Sequence, residues 1–284
     1  MEKSTTGRPE GHAIYALGHS EEERRRLTEQ DVFLGGLTRR LFSEAGVGPG
    51  MRVLDVGCGV GDVSLLAASL VGPEGEVVGV DTDPLALAHA TERVSALGST
   101  NIAFVEGDIR ALEFDETFDA VVGRFVLMYL ADPVAVLRRV GGHVRPGGVV
   151  AFQEYHFADG SLSQPRAALW ERTGELLLET FRRAGTEMGM GLKMYGAFSA
   201  AGLPAPDIRV ERPAGGGSEY PGYGYVAGVL RSLLPMAEKL GVVASVEEVG
   251  IETLHERLRE EVVALGGVVT LPSIVGAWSR KPCA

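Results

Sequence analysis

Residues 51–68, MRVLDVGCGVGDVSLLAA, constrain this chain more than any other stretch. Val53, Leu54 and Val56 make a short apolar run around Asp55, the pattern of a parallel strand covered on both faces. From Asp62 onward the composition turns helical, with one apolar face. Gly57, Gly59 and Gly61 stand between the two. Glycine permits the sharp turn from strand into helix and leaves the backbone bare for a ligand to touch. Strand, glycine turn and helix together predict a cradle of nucleotide size at the edge of an α/β sheet.

A dinucleotide site begins in a similar way, so the details decide. Its usual spacing is G-x-G-x-x-G, whose first two glycines admit a pyrophosphate and whose third packs helix on strand. Here the third glycine comes one residue early, and Asp55 stands just before the loop. A carboxylate there repels a pyrophosphate but can pair with an ammonium group. A ligand with a nucleoside at one end and an amino acid at the other is therefore expected. Pro73, Glu74 and Gly75 turn the chain into a second strand, residues 76–81, which ends in Asp81. Asp81 lies 24 residues after Gly57, where an acidic residue at a strand tip can accept both ribose hydroxyls. Thr82 and Asp83 then open a helix with Pro84 near its first turn. A third unit, residues 101–105 followed by Glu106-Gly107-Asp108-Ile109, offers Asp108 to an adenine amino group and Ile109 to the face of the ring.

With these residues in order, the chain resembles the class I S-adenosylmethionine-dependent methyltransferases, and within them the UbiE-like enzymes that methylate small molecules. The matching segments are VLDVGCGVG at 53–61, VVGVD at 77–81, EGD at 106–108, FDAVVGRFVLMYL at 118–130 and RPGGVVAFQE at 145–154. The resemblance implies an α/β, Rossmann-like methyltransferase fold with a seven-stranded, mostly parallel sheet whose last strand is antiparallel. An N-terminal helical lid and a helical insertion after strand 5 complete that expectation. The implied cofactor is S-adenosyl-L-methionine. By the same resemblance Asp55, Gly57 and Gly59 lie by its methionine part, with Cys58 in the same loop. Asp81, with Thr82 beside it, binds the ribose, and Asp108 and Ile109 flank the adenine. Arg124 lies at the tip of the fourth strand, near the carboxylate or the substrate. Tyr15 and Gln30 are expected to contact the cofactor from an N-terminal cap, with core packing as the alternative for Tyr15.

The gross numbers agree with one such unit. Residues 1–45 are expected to form an N-terminal tail and helical lid, and 46–284 the methyltransferase domain, with a substrate-cap insertion over 156–203. Acidic residues outnumber Lys and Arg by 38 to 27, for a formal charge of -11, which disfavours a nucleic-acid partner. Cys58 and Cys283 are the only cysteines, too few for a disulfide framework. No long apolar run predicts a signal or a membrane span, so the expected location is cytoplasmic. The six histidines show no metal-ligand spacing, so no metal is expected. A homodimer is left open.

Ser20 and Glu23 read as a capping box, and Glu21 with Arg25 and Glu22 with Arg26 as i,i+4 pairs on a solvated helix. A second helix continues through Phe33, Leu34, Leu37, Leu41 and Phe42 in one buried stripe, ending at the glycine-rich residues 46–50. Residues 12–45 are thus expected to be a lid welded to the domain, useful for excluding water from methyl transfer.

The acceptor side is read from less specific signals. Arg124 interrupts an apolar series and needs an anionic partner if buried, either a ligand or Asp55 or another acid. Met128 and Tyr129 follow, facing either the sulfonium side or the core. After a fifth strand at 149–152 comes Gln153-Glu154-Tyr155-His156, outside the carboxyl end of the sheet, where open α/β folds bind ligands. Glu154 and His156 are the candidate bases, since a shielded carboxyl is pushed toward useful values and an imidazole works near neutrality. The structural alternatives are an anchor for Arg124 or the lid backbone at Glu154, and a loop cap at His156. In the insertion, Trp170 and Phe181 line or support an apolar pocket, and Tyr195 can reach an acceptor. Tyr220, Tyr223 and Tyr225 precede a helix ending near Leu240. Without interleaved Lys or Arg they suit a small-molecule wall or an interface better than nucleic-acid stacking. A sixth strand at 208–210, a helix over 245–265 and a terminal strand at 273–280 complete the reading.

The favoured function is transfer of a methyl group to a small, partly apolar organic acceptor in secondary or specialised metabolism. The alternatives are an inactive S-adenosylmethionine-binding scaffold and a methyltransferase acting on protein or RNA. Oxygen, nitrogen and carbon nucleophiles are not distinguished by these motifs.

Overall fold

The structure is a computed structural model in which residues 21–283 are described. Tyr15 and Ser20 lie outside the described residues, as does the side chain of Gln30. The chain runs α1 (Glu21–Ala45), β1 (Arg52–Val56), α2 (Asp62–Val71), β2 (Glu76–Asp81), α3 (Pro84–Ala96), β3 (Ile102–Glu106), β4 (Phe118–Arg124) and α4 (Pro133–His143). It continues through β5 (Val144–His156), β6 (Ser163–Gln164), α5 (Ala168–Arg183), α6 (Met190–Ala200), β7 (Asp207–Glu211) and β8 (Ala214–Gly215). The last elements are α7 (Gly222–Lys239), α8 (Val246–Val249), α9 (Leu254–Ala264), β9 (Val268–Thr270) and β10 (Ser273–Arg280).

Seven strands form one sheet in the order β3-β2-β1-β4-β5-β10-β7. β1 pairs in parallel with β2 and β4, whereas β10 is antiparallel to both β5 and β7. The strand order steps outward from β1 to β3 and then reverses to β4. This puts the topological switch point, and with it the ligand crevice, at the carboxyl ends of β1 and β4. The two residues that end those strands lead into the glycine loop and the Phe125 turn.

The pleat sorts the core into two layers. Val53, Val77, Ala120, Val122 and Ala151 face α1 and α2, where they meet Leu41, Phe42, Val63 and Ala67. Leu54, Val56, Val121, Val150 and Phe152 point to the other face, with Val136, Leu137 and Val140 of α4 and Met194 and Phe198 of α6. A third cluster joins α5, α7 and α9 around Trp170, Tyr223, Leu230 and Leu258. It is closed by a three-stranded sheet in the order β6-β9-β8. This second sheet and the α7 and α9 helices make a cap that reaches well beyond residues 156–203, while α6 packs on the main sheet.

Several local expectations are corrected. One continuous helix spans residues 21–45 where two were expected, because no proline interrupts it and Gly35-Gly36 is carried inside it. Leu34, Thr38, Leu41, Phe42 and Ala45 are buried, so this half of α1 is part of the core. The helix expected over 245–265 breaks at Gly250, whose φ of 61° lies in the left-handed region. Tyr223 and Tyr225 lie inside the first turn of α7, started by Pro221, and do not precede the helix. β5 begins at Val144, five residues before its expected start at 149, with a register irregularity against β4 at Phe118/Ala120.

Candidate active site

The glycine loop is tied to both neighbours of β1. The amides of Gly57 and Cys58 donate to the Val80 carbonyl at 2.8 and 3.0 Å, and the Gly59 amide donates to Asp81 Oδ2 at 2.8 Å. Asp81 Oδ1 accepts from the Asp83 amide at 3.0 Å. Gly57 has φ 66°, and a Cβ there would stand 2.6 Å from Val126 Cγ2. Only glycine fits both that backbone and that approach. Asp83 caps α3 by accepting from the Leu85 amide at 3.0 Å, with Pro84 next, and Thr82 is exposed just before it.

Asp55 is only 1% exposed and is held by α2. Its Oδ2 accepts from Ser64 Oγ at 2.6 Å, and Oδ1 is buried without a hydrogen-bond partner. Burial pushes its carboxyl up to about 7, against the pull of the Ser64 hydrogen bond and the Arg124 charge. Cys58 is buried with its sulfur toward Gly79, and burial pushes the thiol up, so its share in a ligand site is its peptide group. Asp108 is held by Arg110, whose Nε lies 2.9 Å from both carboxylate oxygens, and Ile109 is buried beside it. An adenine amino group at Asp108 would therefore share that carboxylate with a guanidinium.

Beyond β4 the chain is folded back by a single carboxylate. Glu154 is 0% exposed. Its Oε1 accepts from the amides of Val126 and Leu127 at 2.9 and 2.8 Å, and Oε2 from Met128 at 3.4 Å. The Phe125 amide still donates to the Gln153 carbonyl at 2.8 Å, continuing the strand pairing. The reversal between these two sets of bonds falls on Phe125, whose φ of 58° is the one left-handed non-glycine conformation among the described residues. Burial pushes the Glu154 carboxyl up to about 7, opposed by the three peptide N–H groups. Glu154 thus anchors the 125–129 turn, its oxygens accepting from peptide groups beneath the crevice.

The pleat also divides the Gln153-Glu154-Tyr155-His156 cluster. Glu154 and His156 share the face of Phe152, whereas Gln153 and Tyr155 share that of Ala151. His156 lies opposite Ser273 in the β5–β10 ladder, close under Gly191 of α6, with Nδ1 buried and unpartnered. The structure does not bring it together with the glycine loop. On the other face, Thr38 Oγ1 donates to Gln153 Oε1 at 2.7 Å and accepts from Arg124 Nη1 at 3.1 Å. Arg124 Nη2 lies 3.9 Å from Asp62 Oδ2, at the first residue of α2. Asp62 is thus one acid near Arg124, Asp55 also feels its charge, and α1 helps to hold the guanidinium.

An aromatic wall adjoins this region; the sequence named its Phe181 and Tyr225, but not Phe33, Phe125, Tyr155 and Phe157 as parts of it. The rings of Phe125 and Tyr155 stack with centroids 4.5 Å apart, and Tyr155 stacks in turn on Phe157 at 4.9 Å. Phe157 stacks on Phe181 at 5.1 Å. Tyr225 of the cap stacks on Phe33 of α1 at 4.9 Å, and the Tyr155 and Tyr225 hydroxyls are 2.8 Å apart. Tyr129, partly buried in the 3-10 turn Leu127–Tyr129, packs against the same cluster. Period-2 alternation on β5 was the available signal for Tyr155. Two other candidates are placed in the cap core and on the surface of α6. Trp170 is 1% exposed in the cap core, its Nε1 donating to the Thr270 carbonyl at 3.3 Å. Tyr195 is 52% exposed on α6, at the border of the buried stripe that contains Met194 and Phe198.

The site fits an adenosyl amino-acid cofactor in its own terms. The loop backbone is bare at Gly57, Asp81 is partly exposed at the β2 tip, and the buried Asp55 Oδ1 lacks a donor. Sheet order, glycine loop and the Asp81 tip define a class I methyltransferase fold. Residues 48–185 match the family described as Methyltransferase domain, and the chain is similar to S-adenosylmethionine-dependent methyltransferases of the UbiE-like type. The chain is 41% identical over 105 residues to a demethylmenaquinone methyltransferase of Bacillus cytotoxicus, covering 37% of this chain and 44% of that protein. It is 39% identical over 106 residues to the demethylmenaquinone methyltransferase of Shouchella clausii, covering 37% and 45%. The chain thus spans less than half the length of these curated relatives. Among solved structures, Haemonchus contortus phosphoethanolamine N-methyltransferase 2, in complex with S-adenosyl-L-methionine, shares the fold at a TM-score of 0.55 and 20% identity, over 87% of this chain and 52% of that one. Among the described residues no helix is long and apolar enough to cross a membrane.

Proposed function

We propose that this chain transfers a methyl group from S-adenosylmethionine to a small, partly apolar acceptor that carries an aromatic ring. One observation carries the reading: the glycine loop and the aromatic wall meet at a single turn. Gly57 abuts Val126, and the preceding residue, Phe125, stacks on Tyr155. When bound, S-adenosylmethionine supplies an electrophilic methyl group on a sulfonium sulfur. Gly57 and Gly59 would let it approach the backbone, Asp81 would accept from the ribose hydroxyls, and Asp55 lies beneath the amino-acid end. Glu154 fixes the 125–129 turn, and Phe125, Tyr129 and Tyr225 orient the acceptor and exclude water. Positioning of this kind suffices for an acidic phenol, whose proton passes to water.

The names of the relatives make a demethylmenaquinone the first acceptor to try. Because much of the cap lies beyond residues 48–185, we assign the chain to secondary or specialised metabolism, with an acceptor of its own. The test incubates the full chain with S-adenosylmethionine and either demethylmenaquinone or a small-metabolite extract, followed by mass spectrometry. A mass gain of one methyl group on a small molecule, matched by S-adenosylhomocysteine release, is expected. Binding of S-adenosylhomocysteine with no methylated product would make the chain a scaffold and overturn the reading. Methyl label recovered only in protein or RNA would overturn its small-molecule part.

A further inference from the structure

Two phenols in the cap keep their hydroxyls buried without a hydrogen-bond partner. Tyr223, in the first turn of α7, is 0% exposed, and its Oη is unpartnered. The Oη of Tyr220, just before that helix begins, is buried and unpartnered as well. Their rings meet edge to face, with centroids 5.4 Å apart at 90°. The Tyr220 ring is seated across Gly215 of β8 and Gly222 of α7, where a Cβ on either glycine would run into it. Trp170 packs edge-on against Tyr223 at 6.1 Å, but its Nε1 already donates to the Thr270 carbonyl. Leaving a polar group dry and unpaired destabilises a fold, and phenylalanine would fill the same space without that cost. Two such hydroxyls side by side therefore call for a ligand group.

Burial pushes both phenols up, with the charge of Tyr223 adding to the effect at Tyr220, so each is a neutral O–H donor. A carbonyl oxygen has two lone pairs and no proton of its own to place, which matches two donors. Residues 219–225 bring no Lys or Arg that would favour a carboxylate instead. On the outer side, Phe33 of α1 meets Tyr220 edge to face at 6.1 Å and stacks on Tyr225 at 4.9 Å, and all three rings are partly exposed. We infer that Tyr220 and Tyr223 form a two-donor subsite in the cap, which takes the carbonyl oxygen of an aryl ketone whose ring enters beneath Phe33. Entry parts the seam between α1 and the start of α7. Through Phe33 and Tyr225 the subsite is continuous with the aromatic wall that reaches Phe125, so the ketone lies at the end of the acceptor away from the glycine loop. A site built to bond a substrate oxygen rejects the analogue lacking it, because its own buried donors are then left unpaired.

This inference rests on the acceptor site proposed above, and its test separates the two. Binding of 2-acetylnaphthalene and of 2-isopropylnaphthalene, similar in shape but lacking the carbonyl, is measured calorimetrically on the full chain, together with S-adenosylhomocysteine. The wild type should prefer the ketone by about tenfold, the value of one good hydrogen bond. Tyr223→Phe and Tyr220→Phe should each lower ketone affinity toward that of the hydrocarbon, with hydrocarbon affinity kept within about twofold. Without ligand, neither variant should melt below the wild type, because each loses a hydroxyl that has no partner. Failure of the wild type to bind the ketone, equal binding of the two probes, or a ketone preference kept in both variants would overturn the subsite. So would a lower melting temperature in both ligand-free variants, which is what hydroxyls satisfied by a trapped water would give. If Tyr223→Phe does not fold, Tyr220→Phe carries the same comparison. Ketone preference without S-adenosylhomocysteine binding would leave the subsite standing and remove the methyl-transfer reading, whereas a methylated small-molecule product with no ketone preference would remove the subsite alone.

Discussion

Glu154→Gln should change stability in a direction set by pH. In the wild type the carboxylate accepts three peptide N–H groups, two at 2.9 and 2.8 Å on Oε1 and one at 3.4 Å on Oε2. Burial nevertheless moves the carboxyl from 4.5 to about 7. A carboxyl raised by folding contributes stability that is fully present below its unfolded value and is lost as pH rises through the folded one. The separation corresponds to about 3 kcal/mol across the full window. An amide oxygen at the Oε1 position keeps the two shorter bonds, while its NH2 opposes the Met128 amide at a cost of about 1 kcal/mol. At pH 5 the folded carboxyl is protonated and resembles the amide, so the two proteins should agree within about 1 kcal/mol. At pH 8 the wild type holds a buried anion that the variant lacks, and Glu154→Gln should be more stable by about 2 kcal/mol. Asp55, also pushed up to about 7, titrates in both proteins and drops out of the difference. Urea denaturation at pH 5, 6.5 and 8, followed by circular dichroism, gives the comparison. A variant less stable by the same amount at every pH would refute the reasoning, because the three N–H groups would then outweigh burial.

Three further outcomes are expected. Asp81→Asn should weaken S-adenosylhomocysteine binding about tenfold or more in calorimetry with little change in melting temperature, and an unchanged affinity would remove Asp81 from the ribose site. Thr38→Val removes the hydroxyl between Arg124 and Gln153 and should cost about 1–3 kcal/mol in urea denaturation, with Thr38→Ser restoring most of it. A Thr38→Val protein as stable as wild type would make that bridge incidental. Trp170→Ala should cost about 3–5 kcal/mol and raise hydrogen exchange in α7 and α9 more than in β1 and β2, and equal exchange in both would deny the cap a core of its own.

The main sheet was legible because strands covered on both faces read as apolar runs with turn signals between them. VLDV, EVVGVD and FDAVVG lie where such runs predict, and the family resemblance implied the antiparallel last strand. The second sheet was not legible, since β6 and β8 are two residues long and carry no period. Its core depends on Trp170 meeting Tyr223 at a ring separation of 6.1 Å across more than fifty residues, a contact no local pattern encodes. The break at Gly250 was misread because a single glycine is compatible with a continuing helix until its φ is known.

The two halves of the site differ in how far apart their parts lie along the chain. The nucleotide side is built from consecutive strand tips, so Gly57, Asp81 and Ile109 each follow a strand by the same logic and can be read in turn. The acceptor side depends on parity and on distant partners. Residues 153–156 look like one polar cluster, yet in a strand only alternate members share a face. That rule alone separates Tyr155 from Glu154, but it does not say which face the ligand uses. The surroundings of that face come from Thr38, 115 residues away on α1, and from Tyr225, 70 residues away on α7. Those contacts put Gln153 and Tyr155 toward the seam and leave Glu154 to grip the turn from behind. The same carboxylate looked catalytic in sequence for the reason it is structural in the fold: three amides at the end of a strand need an acceptor, and the strand's own pleat delivers one.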